Sequence, residues 1–372
     1  MKILCVNNNV MFEDDKGIYI NRATAFFIME LARYFEKLEF FQFRMKFTDN
    51  DCMASFNIQD KGFAIFSIPR GKYKFIPYLK AFWHGFRRIH TCDFLYLYYP
   101  GNICIILALF AIFQRKPYGL YVRGEQGIRA PISKFLFRRA AIALTISPKF
   151  TDLIRKAGGN AETIRPMMDY GEEDMVLNRT YTAKNHYKLL YLGRIELAKG
   201  SYDLIAAAKM LIDQGIHNFS IDMVGDGADA TAIKKRVSDL GLSAYVTLHG
   251  TIADRAVLQK FYQNADLFIL PTHHEGFPRV LYESMIAGLP ILTTFVGTIS
   301  YLMKDGMNCY EIPKKNPADL ALHIIDVIRD YPNKARVAIN GAKTIQDYLQ
   351  DKKQSHAVQL VRILREKGIY QE

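Results

Sequence analysis

Two carboxylates stand eight positions apart in the stretch HHEGFPRVLYE, residues 273–283: Glu275 and Glu283. The apolar run ADLFILP precedes them and reads as a buried strand, and an apolar-periodic helix follows from about Arg279. A strand, a tight polar turn and a helix place this turn at the carboxyl end of a strand, where open α/β sheets bind ligands. Unpaired N–H groups at the start of that helix favour an anion. Gly276 lets the backbone approach a ligand, and Pro278 is tolerated at a helix start. Glu275 would then face ligand hydroxyls, and Glu283, one turn into the helix, could accept two hydrogen bonds from a vicinal diol. The competing reading makes both acids simple complements to the helix dipole.

Two further strand ends carry chemistry. In YLGRIELAKG, residues 191–200, Arg194 and Lys199 follow a strand and precede a helix. A guanidinium fork and an ammonium point charge there suit a diphosphate, although single surface cations are usually only solvated. In MVGDGADA, residues 223–230, Gly225 and Gly227 flank Asp226 after a strand. That pattern is like a phosphate or nucleotide turn, but one GxG also describes an ordinary strand–helix turn.

The elements that must position these groups follow from periodicity. The N-terminal half alternates strand-like runs (KILCV, EFFQFRMKF, FAIFSIP, DFLYLYY, YGLYV, AIALTI) with helix-like ones, including residues 21–38. Residues 171–187 lose periodicity and read as a linker. The alternation then restarts with KLLYLG, FSIDMVG, AYVTLHG, DLFILP and LPILTT, each separated by a helical pattern, and from about Asn316 the chain reads as helical. Alternation of this kind predicts doubly wound parallel sheets, and 372 residues suffice for two such α/β domains.

Composition narrows the classes. Half of the residues are hydrophobic and none of the five cysteines forms a CxxC pair, which speaks against disorder, a zinc site or a disulfide framework and fits a reducing compartment. MKILCVNNN is too short an apolar start for a signal peptide, and ICIILALFAIF, residues 103–113, is too short to span a bilayer. The net charge of +12 is concentrated: residues 61–149 hold fifteen lysines and arginines against Asp93 and Glu125. A one-sided basic field implies an anionic partner. Residues 70–90 and 133–140 interleave aromatics with cations, which suits a protein resting on an anionic membrane surface; the alternative buries the apolar positions in the N-terminal core. No known nucleic-acid-binding motif accompanies the charge, so nucleic acid is not the expected partner. The acids at Asp49–Asp51 read as a polar loop, and no metal cluster is expected.

Taken together, GRIELAKG, VGDG, ADLFILP, EGFPRVLYES and AGLPILTTFVGT resemble glycosyltransferase family 4, retaining nucleotide-sugar transferases of the GT-B fold. The likeness is strong over residues 188–312 and weak before them. It implies two Rossmann-like domains facing each other across a cleft: residues 1–170 on the acceptor side, 171–345 on the donor side, and a C-terminal helix, 346–372, packing back on the first. It implies that Arg194 and Lys199 hold the donor diphosphate and that Glu275, with Gly276, Phe277, Pro278, Arg279, Val280 and Leu281 behind it, meets the sugar. Glu283 falls on the ribose, Gly225, Asp226 and Gly227 line the donor, and Thr251 and Ile252 lie near the base. Gly17 is the one glycine available for the donor-side loop after the first strand. Arg123 or Glu125 stands where a histidine is common, as an acceptor-side candidate. Thr298 and Tyr301, in GTISY, stand where the family has a second glycine and an acid. The implied activity is metal-independent transfer, without a cofactor, from a nucleoside diphosphate sugar. EGFP at 275–278 points to a UDP-hexose or UDP-N-acetylhexosamine, and the acceptor is a glycan or polyprenyl-linked hydroxyl of a bacterial surface polysaccharide or glycoconjugate. A cytoplasmic location, peripheral to the inner leaflet, follows. The alternatives are a GT-B-fold epimerase or phosphorylase, or a basic nucleic-acid-binding protein.

Overall fold

The computed structural model describes all residues except 47–55, 60, 62–63, 71–74, 125–126, 169, 253, 352–354 and 371–372. The acids at Asp49–Asp51 and the candidate Glu125 lie outside the described residues. The chain divides into two compact units, residues 1–169 with 352–372, and residues 170–351.

Unit 1 opens with β1 (Lys2–Asp14), β2 (Gly17–Ile20), α1 (Arg22–Leu31), β3 (Lys37–Lys46), β4 (Phe56–Asn57), β5 (Ala64–Pro69) and α2 (Phe75–Thr91). It continues with β6 (Phe94–Tyr99), α3 (Asn102–Phe113), β7 (Tyr118–Val122), α4 (Pro131–Arg139), β8 (Ile142–Thr145), α5 (Pro148–Lys156) and β9 (Ala161–Thr163). The parallel order is β5-β3-β1-β6-β7-β8-β9. Every residue of β6 is buried, as expected for a strand covered on both faces. One face packs under α2, α3, α4 and α5, the other under α1 and a helix from the far end of the chain.

Two details depart from the sequence reading, and a third decides between alternatives that it left open. The run after β1, read as a loop, is strand: β1 continues to Asp14, turns at Gly17 and pairs antiparallel with β2 (Phe12 with Tyr19). Asp14 Oδ1 closes that turn by accepting from the backbone N–H of Lys16 (2.8 Å) and Gly17 (3.0 Å). The helix expected over 21–38 ends at Leu31, because Lys37 and Leu38 are drawn into register with Lys2 and Ile3 of β1. In α2 the buried stripe consists of Pro77, Ala81, Gly85 and Ile89, while Ile76, Leu79, Phe82 and Trp83 face outward.

Unit 2 comprises β10 (Tyr187–Leu192), α6 (Ser201–Asp213), β11 (Phe219–Val224), α7 (Ala230–Asp239), β12 (Val246–Gly250), α8 (Arg255–Asn264) and β13 (Leu267–Leu270). Then come α9 (Arg279–Ile286), β14 (Ile291–Thr293), β15 (Tyr310–Glu311), α10 (Pro317–Arg329), α11 (Tyr331–Lys334) and α12 (Val337–Asp351). Its sheet is wholly parallel in the order β12-β11-β10-β13-β14-β15. Residue 345 lies inside α12, which stays with unit 2 to its end. The expected linker is strapped down: the Arg179 guanidinium donates to the carbonyls of Tyr262 (3.2 Å), Ala287 (3.1 Å) and Ala265.

The last helix, α13 (His356–Glu366), belongs to unit 1. Ala357, Leu360, Val361 and Leu364 join the core beside Ile28, Phe27 and Tyr96. His356 is buried there, with Nε2 2.7 Å from the Tyr96 hydroxyl and Nδ1 3.0 Å from the Arg165 carbonyl. Burial pushes its imidazole down to about 3, so it sits in the core uncharged.

Candidate active site

In unit 2 the loops at the carboxyl ends of five consecutive strands are laced into one rim. After β10, Gly193 N–H donates to the Val224 carbonyl (3.0 Å) and Ile195 N–H to that of Asp226 (3.0 Å). The loop after β11 answers with Asp229 N–H on the Ile195 carbonyl (3.1 Å), and the Asp229 carboxylate accepts from Leu197 N–H (2.8 Å). Gly225 N–H reaches the Gly250 carbonyl at the end of β12 (2.8 Å). The approach explains the two glycines: a Cβ on Gly225 would strike the Gly193 carbonyl, and one on Gly227 would strike that of Ile195.

The loop after β13 joins from the other side. His273 N–H donates to the Ala198 carbonyl (2.9 Å), and the His273 ring pairs with Asp203 of α6 (2.7 Å). The loop after β14 completes the rim. Thr294 Oγ1 donates to the Thr272 carbonyl (2.5 Å), and both the N–H and Oγ1 of Thr298 donate to the Gly276 carbonyl (3.1 Å each). Gly297 has φ +67°, and a Cβ there would strike the Glu275 carbonyl.

Three of the expected charges meet on this rim. Lys199 closes a short 3-10 turn, Leu197–Lys199, before the left-handed Gly200 that opens α6. Its ammonium is nearly buried, ion-paired with the Glu275 carboxylate and 3.3 Å from the His274 carbonyl. Arg194 is held within its own loop: its side chain is 56% exposed, and both terminal nitrogens bond Glu196 (3.1 and 3.0 Å). Glu196, two residues along the same loop, is a partner the sequence reading missed. The buried Tyr191 phenol ties these groups together. Burial raises its pKa, the carboxylates of Glu196 and Glu275 add to the shift, and Arg194 offsets part of it, so all three charges lie within its field.

Helix α9 begins at Arg279, directly after Pro278, whose side chain offers no capping bond. The open N-terminal amides of this helix therefore point out of the turn that carries Glu275, Gly276 and Phe277. The Phe277 ring packs on Tyr282 (4.5 Å between centroids). Leu281 is buried, Val280 half-buried and Arg279 exposed. Glu283, half-buried one turn further, accepts from the Tyr262 hydroxyl (2.7 Å); burial and this carboxylate both push the Tyr262 phenol upward. Tyr262 is another missed residue, because nothing in its spacing marks a side chain from α8 that reaches α9. Thr251 and Ile252 follow β12, exposed and half-buried. Beneath them His249 pairs with Asp222 (2.6 Å) and packs on Phe261.

Gly17 and Arg123 lie in the other unit. Gly17 occupies the β1–β2 hairpin turn rather than a strand–helix crossing. Arg123 follows β7, exposed, its guanidinium 5.7 Å from the Tyr98 ring. Among the described residues no cluster of three or more histidines, cysteines or acids is arranged to hold a metal ion.

The sequence matches to known proteins include unit 2, which carries this rim. Residues 178–344 match the model of the family described as glycosyl transferases group 1. An uncharacterized glycosyltransferase of Methanocaldococcus jannaschii is 26% identical over 177 residues, 47% of this chain and 45% of that protein. The capsular polysaccharide biosynthesis glycosyltransferase CapM of Staphylococcus aureus is 26% identical over 185 residues, 47% of each. The chain thus spans about half the length of the curated relatives it matches. Among solved structures, Anabaena HepE in complex with UDP aligns over 98% of this chain and 99% of its own, at TM-score 0.69 and 17% identity. The chain therefore has the GT-B fold, and its residues 178–344 are similar to glycosyl transferases group 1.

Proposed function

We propose that this protein transfers a sugar from a UDP-sugar to a hydroxyl of a glycan or lipid-linked acceptor, with retention at the anomeric carbon. The observation that carries the proposal is the Lys199–Glu275 pair beside the open N-terminus of α9, on a rim that five strand-end loops hold in place. UDP in HepE and capsule synthesis for CapM support the choice of donor and acceptor class.

The roles follow from charge. Lys199 spends two of its three protons on Glu275 and the His274 carbonyl and keeps one for a diphosphate oxygen. Arg194 is held by Glu196 in an exposed pair, an interaction worth only about 0–1 kcal/mol, so a diphosphate can recruit the guanidinium at little cost. Glu275 and the amides after it receive sugar hydroxyls, and Glu283, oriented by Tyr262, accepts from the ribose. Gly225, Asp226 and Gly227 line the donor, and Thr251 and Ile252 flank the base. In the reaction the bond from the anomeric carbon to the β-phosphate oxygen breaks, and its electron pair stays on phosphate. The acceptor oxygen bonds the same carbon, and its proton passes to the departing phosphate on the same face. Lys199, Arg194 and the α9 amides stabilise the growing diphosphate charge, a type of contribution worth about 3–4 kcal/mol per donor. In unit 1, Arg123 is assigned to the acceptor side, together with Glu125.

The test is thermal shift against UDP, UDP-glucose, UDP-N-acetylglucosamine and GDP-mannose, followed by release of nucleoside diphosphate with and without EDTA. A ligand at 100 times its Kd stabilises by about 2.7 kcal/mol. Stabilisation by a UDP-sugar and EDTA-insensitive turnover are expected. No response to any nucleotide sugar would refute the assignment.

A further inference from the structure

Helix α2 is packed inside out. An amphipathic surface helix normally turns its large apolar residues to the core. Here the core side is Pro77, Ala81, Gly85 and Ile89, and Gly85 packs so closely on Leu107 of α3 that a Cβ would strike it. The large residues Ile76, Leu79, Phe82 and Trp83 are left exposed, Trp83 at 55%. They continue onto α3 through ring contacts of Phe82 with Phe110 (4.5 Å), and of Phe86 with Phe110 (5.2 Å) and Phe113 (6.4 Å). Phe113 itself is 78% exposed, and α4, which packs beside α3 on the same face of the sheet, adds Ile132 and Phe135. An exposed apolar surface of this kind marks an interaction site.

Its charge says what it meets. None of the three helices contains an acid. Arg87 lies over the Trp83 ring (4.6 Å) and Arg139 near that of Phe135 (5.9 Å), while Lys80, Arg115, Lys134 and Arg138 are exposed around them. A two-fold pairing of this face with itself would set these cations against their own copies. Nucleic acid would use the cations and stack on the rings, but aliphatic side chains such as Ile76, Leu79 and Ile132 have no part in base stacking. Aromatic and aliphatic side chains rimmed by cations fit the boundary between acyl chains and anionic headgroups.

We propose that the outward face of α2, α3 and α4 docks on an anionic lipid bilayer, with Trp83 and Phe113 entering the headgroup–acyl boundary and the cations resting on lipid phosphates. The inference is independent of the sugar-transfer reading, since the face lies wholly in unit 1 and its test needs no donor.

Trp83 is the chain's single tryptophan, so its emission reports this face directly. The protein is mixed with vesicles of phosphatidylglycerol and phosphatidylcholine, or of phosphatidylcholine alone, at low and high salt. Expected are a blue shift of Trp83 emission, quenching by brominated acyl chains and co-flotation, all with the anionic vesicles and reversed by high salt. In flotation, Phe113→Ser with Leu79→Ser, and separately Arg87→Gln with Arg138→Gln and Arg139→Gln, lower vesicle affinity at least tenfold. Circular dichroism and the midpoint of urea unfolding stay close to those of the parent protein. Equal binding to neutral vesicles, no vesicle binding at low salt, an emission shift produced by RNA or by self-association instead, or full binding by both folded variants would each overturn the proposal.

Discussion

The Lys199 ammonium and the Glu275 carboxylate, brought from loops 76 residues apart, form an ion pair that both loops nearly enclose. Each side chain fixes the other, so the pair acts as one device. Lys199→Ala and Glu275→Ala are each expected to lower turnover about a hundredfold, the scale of losing one oxyanion-type donor. The double variant falls little further, because residues that act as a unit are not additive. Initial rates of UDP release at saturating donor measure this. Near-normal rates in both single variants would remove the pair from the chemistry.

Tyr262 touches Glu283 but no part of the rim's charge cluster. Tyr262→Phe deletes one hydrogen bond to a carboxylate, worth about 1–2 kcal/mol, and removes one of the contacts that orient Glu283. The expected result is a KM for the UDP-sugar raised roughly five- to twentyfold with kcat preserved. A fall in kcat at constant KM would place Glu283 elsewhere than on the nucleotide.

Gly297→Ala tests the support behind the sugar-facing turn. The backbone at this position is left-handed and a methyl group meets the Glu275 carbonyl, so the turn from Glu275 to Pro278 must move. Turnover is expected to drop at least tenfold, with Tm lowered by a few degrees. Unchanged kinetics would show that the turn tolerates displacement and that its geometry does not set the rate.

The pH dependence of unit 1 follows from His356. Its folded pKa of about 3 lies below the ordinary 6.5, so between these values the unfolded chain binds a proton that the folded chain refuses. Stability from this group is therefore complete above about 6.5 and is lost as pH falls toward 3, at up to about 1.4 kcal/mol per pH unit. His356→Gln keeps a donor and an acceptor without titrating, and is expected to flatten that part of a urea-unfolding profile. An unaltered slope would assign the acid sensitivity to other groups.

Much of unit 2 was legible because strand, glycine turn and helix recur there with their polar residues at the strand ends, and open α/β sheets gather those ends on one edge. What the sequence withheld was side-chain partnership. Glu196 occupies the Arg194 fork, and Tyr262 reaches Glu283 from another helix; neither carries a spacing signal. Thr298, noted as a departure from the family pattern, proves to clamp the Gly276 carbonyl. In unit 1 the hairpin after β1 left a readable mark, the Asp-Asp-Lys-Gly turn between Phe12 and Tyr19, that was taken for loop. The orientation of α2 was not readable, because periodicity finds an apolar stripe but does not say which side of the helix meets the sheet.

The return of α13 to the sheet it completes governs how the molecule is made. Most of unit 1 precedes unit 2 in the chain, yet the face of Tyr96, Phe27 and Ile28 that α13 covers stays open until residues 356–364 emerge, about 190 positions after residue 169. At ribosomal speeds of ~5–20 residues per second this is a delay of roughly 10–40 s, during which residues 1–169 lack the helix that covers this part of their core. The core of unit 1 is therefore complete only after every residue of unit 2 has been made.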